Sequence, residues 1–96
     1  MMLFTLMRSP YQIDLDILLQ ALTAEDALLL LQDGVTAAVE KSRFLPRLKA
    51  CGAQLYVLQE DVAARGLVAQ ISTNFAVIDY NGFVTLTIKH QQQVAW

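Results

Sequence analysis

Charge is scarce in this chain. Lys, Arg, Asp and Glu supply 17% of its 96 residues, against a usual share of about 25%. Seven basic groups oppose nine acidic ones for a net −2, so no overall field steers the chain towards polyanions. The single cysteine, Cys51, excludes an internal disulfide and any cysteine-built metal cluster within the chain. There is one histidine, His90, and no glycine-rich phosphate cradle of either common spacing. Ser9, Ser42 and Ser72 stand outside any nucleophile elbow. Long apolar runs are also missing. The longest, Ala27 to Leu31, is far too short to cross a bilayer. The first residues lack the basic leader and small-residue cleavage site of a signal peptide. The expectation is a cytoplasmic protein without membrane contact.

What the chain has in quantity is hydrophobic side chains, 55% of the total, more than the roughly 45–50% apolar share of a soluble domain. Ninety-six residues make one domain, spanning 1–96. A domain this small has little interior in which to hide a surplus. An apolar surface patch covered by another chain is the economical explanation.

Strand-like and helix-like segments alternate, which predicts an α/β fold with a mainly parallel sheet. Met2 to Leu6 is a short apolar run suited to a buried strand. Ser9, Pro10 and Gln12 carry helix-start signals. Beyond them Ile13, Ile17 and Ala21 fall on one stripe, broadened by Leu15, Leu18, Leu19 and Leu22. Ala27 to Leu31 shows no alternation, as expected of an interior strand covered on both faces. Val35 to Glu40 predicts a short helix with Asp33 or Gly34 near its cap. Ser42 is expected to cap another through Lys49, with Pro46 in its first turn and Gly52 as its stop. Ala53 to Leu58 reads as a third strand. Gln59, Glu60 and Asp61 open a helix stopped by Gly66, and Phe75 to Ile78 reads as a fourth strand.

From Asp79 onward two local readings compete. Asn81-Gly82 followed by alternating Phe83 to Ile88 fits a hairpin. The same residues fit a helix capped by Asp79, with Phe83, Leu86, Val84 and Ile88 facing the sheet. An α/β fold needs a helix there to cover the sheet, and that choice leaves Val94 to Trp96 as a fifth strand.

Ligands of open parallel sheets bind beyond the carboxyl ends of the strands. The loops expected there hold several carboxylates, Arg8 and Ser9, but no histidine. Asp33, Glu60 and Asp61 suit helix caps and solvation better than a cation site. Cys51 is the one candidate sulfur acceptor. It falls where a helix ends, and a helix C-terminus disfavours the thiolate that an acceptor needs. Its plain reading is a small apolar residue closing that helix. Lys41, Arg43, Arg47 and Lys49 cluster within nine residues. No aromatic interleaving accompanies them in the sequence, so a solvated helix face is expected over an RNA contact. Trp96 is too large to leave in water, so it either pins the last strand or enters a partner interface. No catalytic, cofactor-binding or metal site is expected.

Several segments together carry a wider resemblance. Arg8-Ser9-Pro10, the block Leu28 to Ala38 and the segment Glu60 to Leu67 occur in one order. Ile78-Asp79-Tyr80, Phe83-Val84, Leu86-Thr87, Lys89-His90 and Ala95-Trp96 follow. This ordered set, across essentially the whole chain, resembles the DsrH-type subunits of bacterial sulfur-relay complexes. The resemblance implies a three-layer α/β/α fold with five strands, of the DsrE/DsrF/DsrH kind, and supports the helix after Asp79. It further implies a non-catalytic subunit joined to TusC-like and TusD-like subunits in a dimer of heterotrimers, without a cofactor. Such complexes take persulfide sulfur from TusA and pass it to a TusE-like acceptor, for 2-thiolation of the wobble uridine of tRNA. Direct contact with tRNA is not expected. The persulfide cysteine of these complexes belongs to the TusD-type subunit, and Cys51 is matched to no sulfur-carrying position.

Overall fold

The computed structural model describes residues 2–96. Strand β1 (Met2–Leu6) leads through a turn into helix α1 (Leu15–Ala21), and strand β2 (Ala27–Leu30) follows. A 3-10 segment (Gln32–Ala38) and helix α2 (Leu45–Ala50) connect to β3 (Gln54–Leu58). Helix α3 (Gln59–Ala64) and a 3-10 turn (Val68–Gln70) precede β4 (Ala76–Ile78), and helix α4 (Tyr80–Lys89) leads to β5 (Gln92–Ala95). The sheet order is β4-β3-β2-β1-β5. All four pairings are parallel.

Alternation along each strand sorts the side chains onto two faces. On one face Phe4, Leu6, Leu28, Leu30 and Val57 pack with Leu15 and Leu18 of α1, Leu45 and Leu48 of α2 and Val62 of α3. On the other, Leu3, Ala27, Leu29 and Leu58 pack with Phe83 and Leu86 of α4. β2 lies at the centre of the sheet, and its four residues are fully buried. That burial on both faces explains its unbroken apolar run. β4 and β5 are the two edges, so α4 carries the chain from one edge to the other over the second face.

Several predicted details shift. Ser9 does not start α1. Its carbonyl accepts the Gln12 N–H at 2.9 Å and its hydroxyl the Tyr11 N–H at 3.3 Å, closing a separate turn. Asp14 caps the helix instead, accepting the N–H groups of Asp16 (3.2 Å) and Ile17 (3.4 Å), because a carboxylate is a strong acceptor at the positive helix end. The inward stripe also differs from the expected one: Leu15, Leu18 and Leu22 pack inward, while Ile17 and Ala21 face water.

The segment after β2 is 3-10 from Gln32 and has no side-chain cap. Gly34 allows it to lie against the end of β1, since a side chain there would collide with the Leu6 carbonyl. α2 begins at Leu45, with Pro46 in its first turn. Ser42 acts one turn earlier, its hydroxyl accepting the Phe44 N–H at 3.1 Å. Asp79 caps α4 as expected, through the Gly82 N–H at 2.9 Å. Val84 and Ile88, however, point away from the sheet into solvent. β5 begins at Gln92, and Trp96 follows it, its N–H still donating to the Thr5 carbonyl at 2.8 Å.

Candidate interaction surface and reactive groups

At the carboxyl rim of the sheet the acidic side chains are engaged by the protein itself. Arg65 donates to Asp33 through Nη2 at 2.8 Å and Nε at 3.3 Å, and through Nη1 to the Asp61 carbonyl at 3.2 Å. Asp61 accepts the Gln32 N–H at 2.7 Å, where the chain leaves β2 with a φ of +51°. Arg65 and Asp61 therefore tie the α3 region to the loop after β2. Two of the three carboxylates weighed as cation ligands serve this junction, and Glu60 stands exposed beside it.

Cys51 closes α2, its N–H donating to the Leu48 carbonyl at 3.3 Å, and is partly exposed. It lies in a shallow groove with Asp16, Leu19, Gln20, Arg47 and Ala50. The charged wall of this groove is self-paired, with Arg47 Nη1 at 2.8 Å from Asp16 Oδ1.

The basic cluster differs from its sequence reading. Tyr11, far away in the chain, joins it. The Arg43 guanidinium lies 5.7 Å from the centre of the Tyr11 ring and 5.5 Å from that of Phe44. The two rings meet edge to face at 5.0 Å. The Arg47 guanidinium also lies 5.5 Å from the centre of the Phe44 ring. Phe44, within the cluster itself, and Tyr11, from the turn after β1, thus give the basic groups the aromatic partners that the sequence reading denied them, and Tyr11 remains 72% exposed.

His90 is buried and satisfied. Its Nδ1 lies 3.0 Å from the Leu86 carbonyl, which also accepts its backbone N–H at 3.0 Å. The ring thereby adds a second donor to a carbonyl that already closes the last turn of α4, and its own Nδ1 is satisfied inside the fold. Trp96 is partly buried against the core on the α1 and α2 side.

Sequence reading missed one surface. On α4, Tyr80, Val84 and Ile88 recur every four residues and are 57%, 55% and 77% exposed. The strand-like alternation of Phe83 to Ile88 disguised a helix with two apolar sides, one on the sheet and one on solvent. A helical wheel drawn from Asp79 would have revealed it.

A family model described as DsrH like protein matches residues 8–93. The chain belongs to the DsrH family. Among DsrH-family relatives, Protein TusB of Yersinia pestis (strain Pestoides F) is 55% identical over 95 residues, covering 99% of this chain and all of that one. Protein TusB of Yersinia pseudotuberculosis (serotype O:1b) matches to the same extent. The fold is also that of more distant solved structures. The ychN protein of E. coli superposes with a TM-score of 0.78 at 15% identity, covering 99% of this chain and 97% of that one. A Methanobacterium thermoautotrophicum protein of unknown function gives 0.77 at 12% identity, with the same coverage. This DsrH-family chain therefore shares its α/β architecture with proteins of only 12–15% sequence identity.

Proposed function

We propose that this chain is a non-catalytic subunit of a cytoplasmic sulfur-relay complex that serves 2-thiolation of the wobble uridine of tRNA. The observation that carries this reading is the 55% identity to TusB proteins over the full length of both chains. In this reading it assembles with TusC-like and TusD-like subunits in a dimer of heterotrimers. The complex delivers sulfur to a TusE-like acceptor, and the reacting thiol belongs to the TusD-like chain. The setting of Cys51 supports the non-catalytic role, since it closes a helix and packs partly against the apolar core as a small hydrophobic side chain. The exposed part of Trp96 is a surface for a partner subunit. Purification of the complex from its native host tests the reading. Recovery with the TusC-like and TusD-like chains, at a mass equal to two copies of each, is expected. A chain that stays monomeric in the presence of both would overturn it.

A second reading, an RNA-contact face, draws support from the exposed Tyr11 ring beneath Arg43. Stacked aromatic and guanidinium groups suit unpaired bases, and Lys41 and Lys49 would meet phosphates. Reversing the charges of Arg43 and Lys49 should then weaken tRNA association in a salt-dependent way. Unchanged association removes this reading.

A further inference from the structure

We infer that the solvent-facing side of α4, centred on Tyr80, Val84 and Ile88, is the docking face for a second α/β subunit of different sequence that presents an uncharged apolar patch. This rests on the sulfur-relay reading for the partner being another subunit and goes beyond it by assigning the surface.

At 100° per residue, the apolar positions Leu86, Phe83, Tyr80, Val84 and Ile88 sweep roughly 200° of the helix circumference. The sheet takes Leu86 and Phe83. The remaining three side chains stand more than half exposed. Nothing in the fold of this chain needs them apolar. The helix also offers that side few free polar groups. The Thr85 hydroxyl donates to the Asn81 carbonyl at 3.0 Å, and the Thr87 hydroxyl to the Val84 carbonyl at 2.7 Å. Lys89 is the one charged residue within α4, and its position on the wheel is far from the stripe. Beyond the Tyr80 hydroxyl and the neighbouring Asn81 amide, a charged partner surface would therefore lose its hydration with little compensating contact.

The three side chains expose about 300 Å². A stable interface buries about 800 Å² on each partner, with an aromatic and aliphatic centre inside a polar rim. The stripe thus supplies the apolar centre of such a face and more than a third of its area.

Apolar exposure on the other face of the sheet argues against a simple pair of copies. Val77 is also more than half exposed. Val77 is in register with the buried Val57, so it points to the face of the sheet opposite α4. A single two-fold contact through α4 would leave this second surface in water. Two distinct apolar sides suit a subunit with more than one neighbour.

The test replaces Val84 and Ile88 together by Glu in the full chain, co-expressed with the TusC-like and TusD-like chains. Gln20→Glu, at an exposed position of α1, serves as a control away from this stripe. Thermal melting of the isolated variant checks folding, since both substituted positions are exposed. A fall of on the order of tenfold or more in chain recovered with the complex, from a variant that melts like the wild type, is the expected result. Undiminished recovery overturns the assignment. It is also overturned if the wild-type chain alone forms dimers that the Glu variant abolishes while the complex is unaffected, because the occupant is then a second copy. Failure of the wild-type chain to join these partners overturns the functional reading itself, and is recognised because the wild type is the reference.

Discussion

The Asp26 carboxylate accepts the backbone N–H of Met2 at 2.9 Å, fastening the start of β1 to the turn before β2. Its other oxygen accepts the N–H and hydroxyl of Thr23 at 3.0 and 3.1 Å. The Asp26 carbonyl accepts the Gln54 N–H at 3.1 Å, at the start of β3. One buried side chain and its backbone thus set the amino ends of three adjacent strands. Replacing Asp26 by Ala strands donors that lose a charged acceptor, at a cost of about 2–3 kcal/mol. The midpoint of thermal unfolding should fall by about 10–20 °C.

The same carboxylate makes stability depend on pH. Burial alone would raise its pKa, but the hydrogen bonds from Met2 and Thr23 outweigh burial and hold it below the ordinary carboxylate value. The folded form therefore binds this proton less readily than the unfolded form. The stabilisation is fully present above the unfolded carboxylate value of about 3.9 and is lost as pH falls through the lower, folded one. Unfolding followed from pH 7 down through the carboxylate range should show a steeper acid loss for the wild type than for Asp26→Asn. Parallel curves would contradict the assignment.

Two glycines should behave differently. Gly34→Ala drives a methyl group into the Leu6 carbonyl and is expected to cost about 2–3 kcal/mol. Gly52 has a φ of +79° but open space around it. Alanine there meets only backbone strain, about 1 kcal/mol. Denaturant midpoints of the two variants should fall in that order.

Cys51→Ser in the assembled complex should leave tRNA thiolation at the wild-type level, measured as 2-thiouridine content in a strain lacking the native copy. A loss of tenfold or more would make this thiol a sulfur carrier.

Sequence patterns revealed the order of elements because each strand and helix here is short and bounded by turn residues. The choice of helix after Asp79 came from the needs of the sheet, since Asn81-Gly82 argued locally for a hairpin. Asp79 decides the matter by taking up the Gly82 N–H. The start of α1 was misplaced because Ser9-Pro10 and Asp14 both signal a helix end, and only the packing of Leu15 and Leu18 chooses between them. Surface relationships were the least legible. Tyr11 meets Arg43 through the folding of a turn onto a distant loop, and no local spacing encodes that approach. The outer side of α4 was misassigned because hydrophobicity alone does not say whether a residue faces its own sheet or another protein.

The crossover of α4 also governs the timing of folding. β1 pairs with β5, Met2 opposite Gln92 and Thr5 opposite Ala95. During synthesis, β1 must wait until Gln92 to Ala95 has been made before its second neighbour exists. Such distant pairings are slow to form, and an emerging chain that lacks them displays an unfinished hydrogen-bonding edge. One edge of β1 therefore stays open until Gln92–Ala95 arrives to cover it.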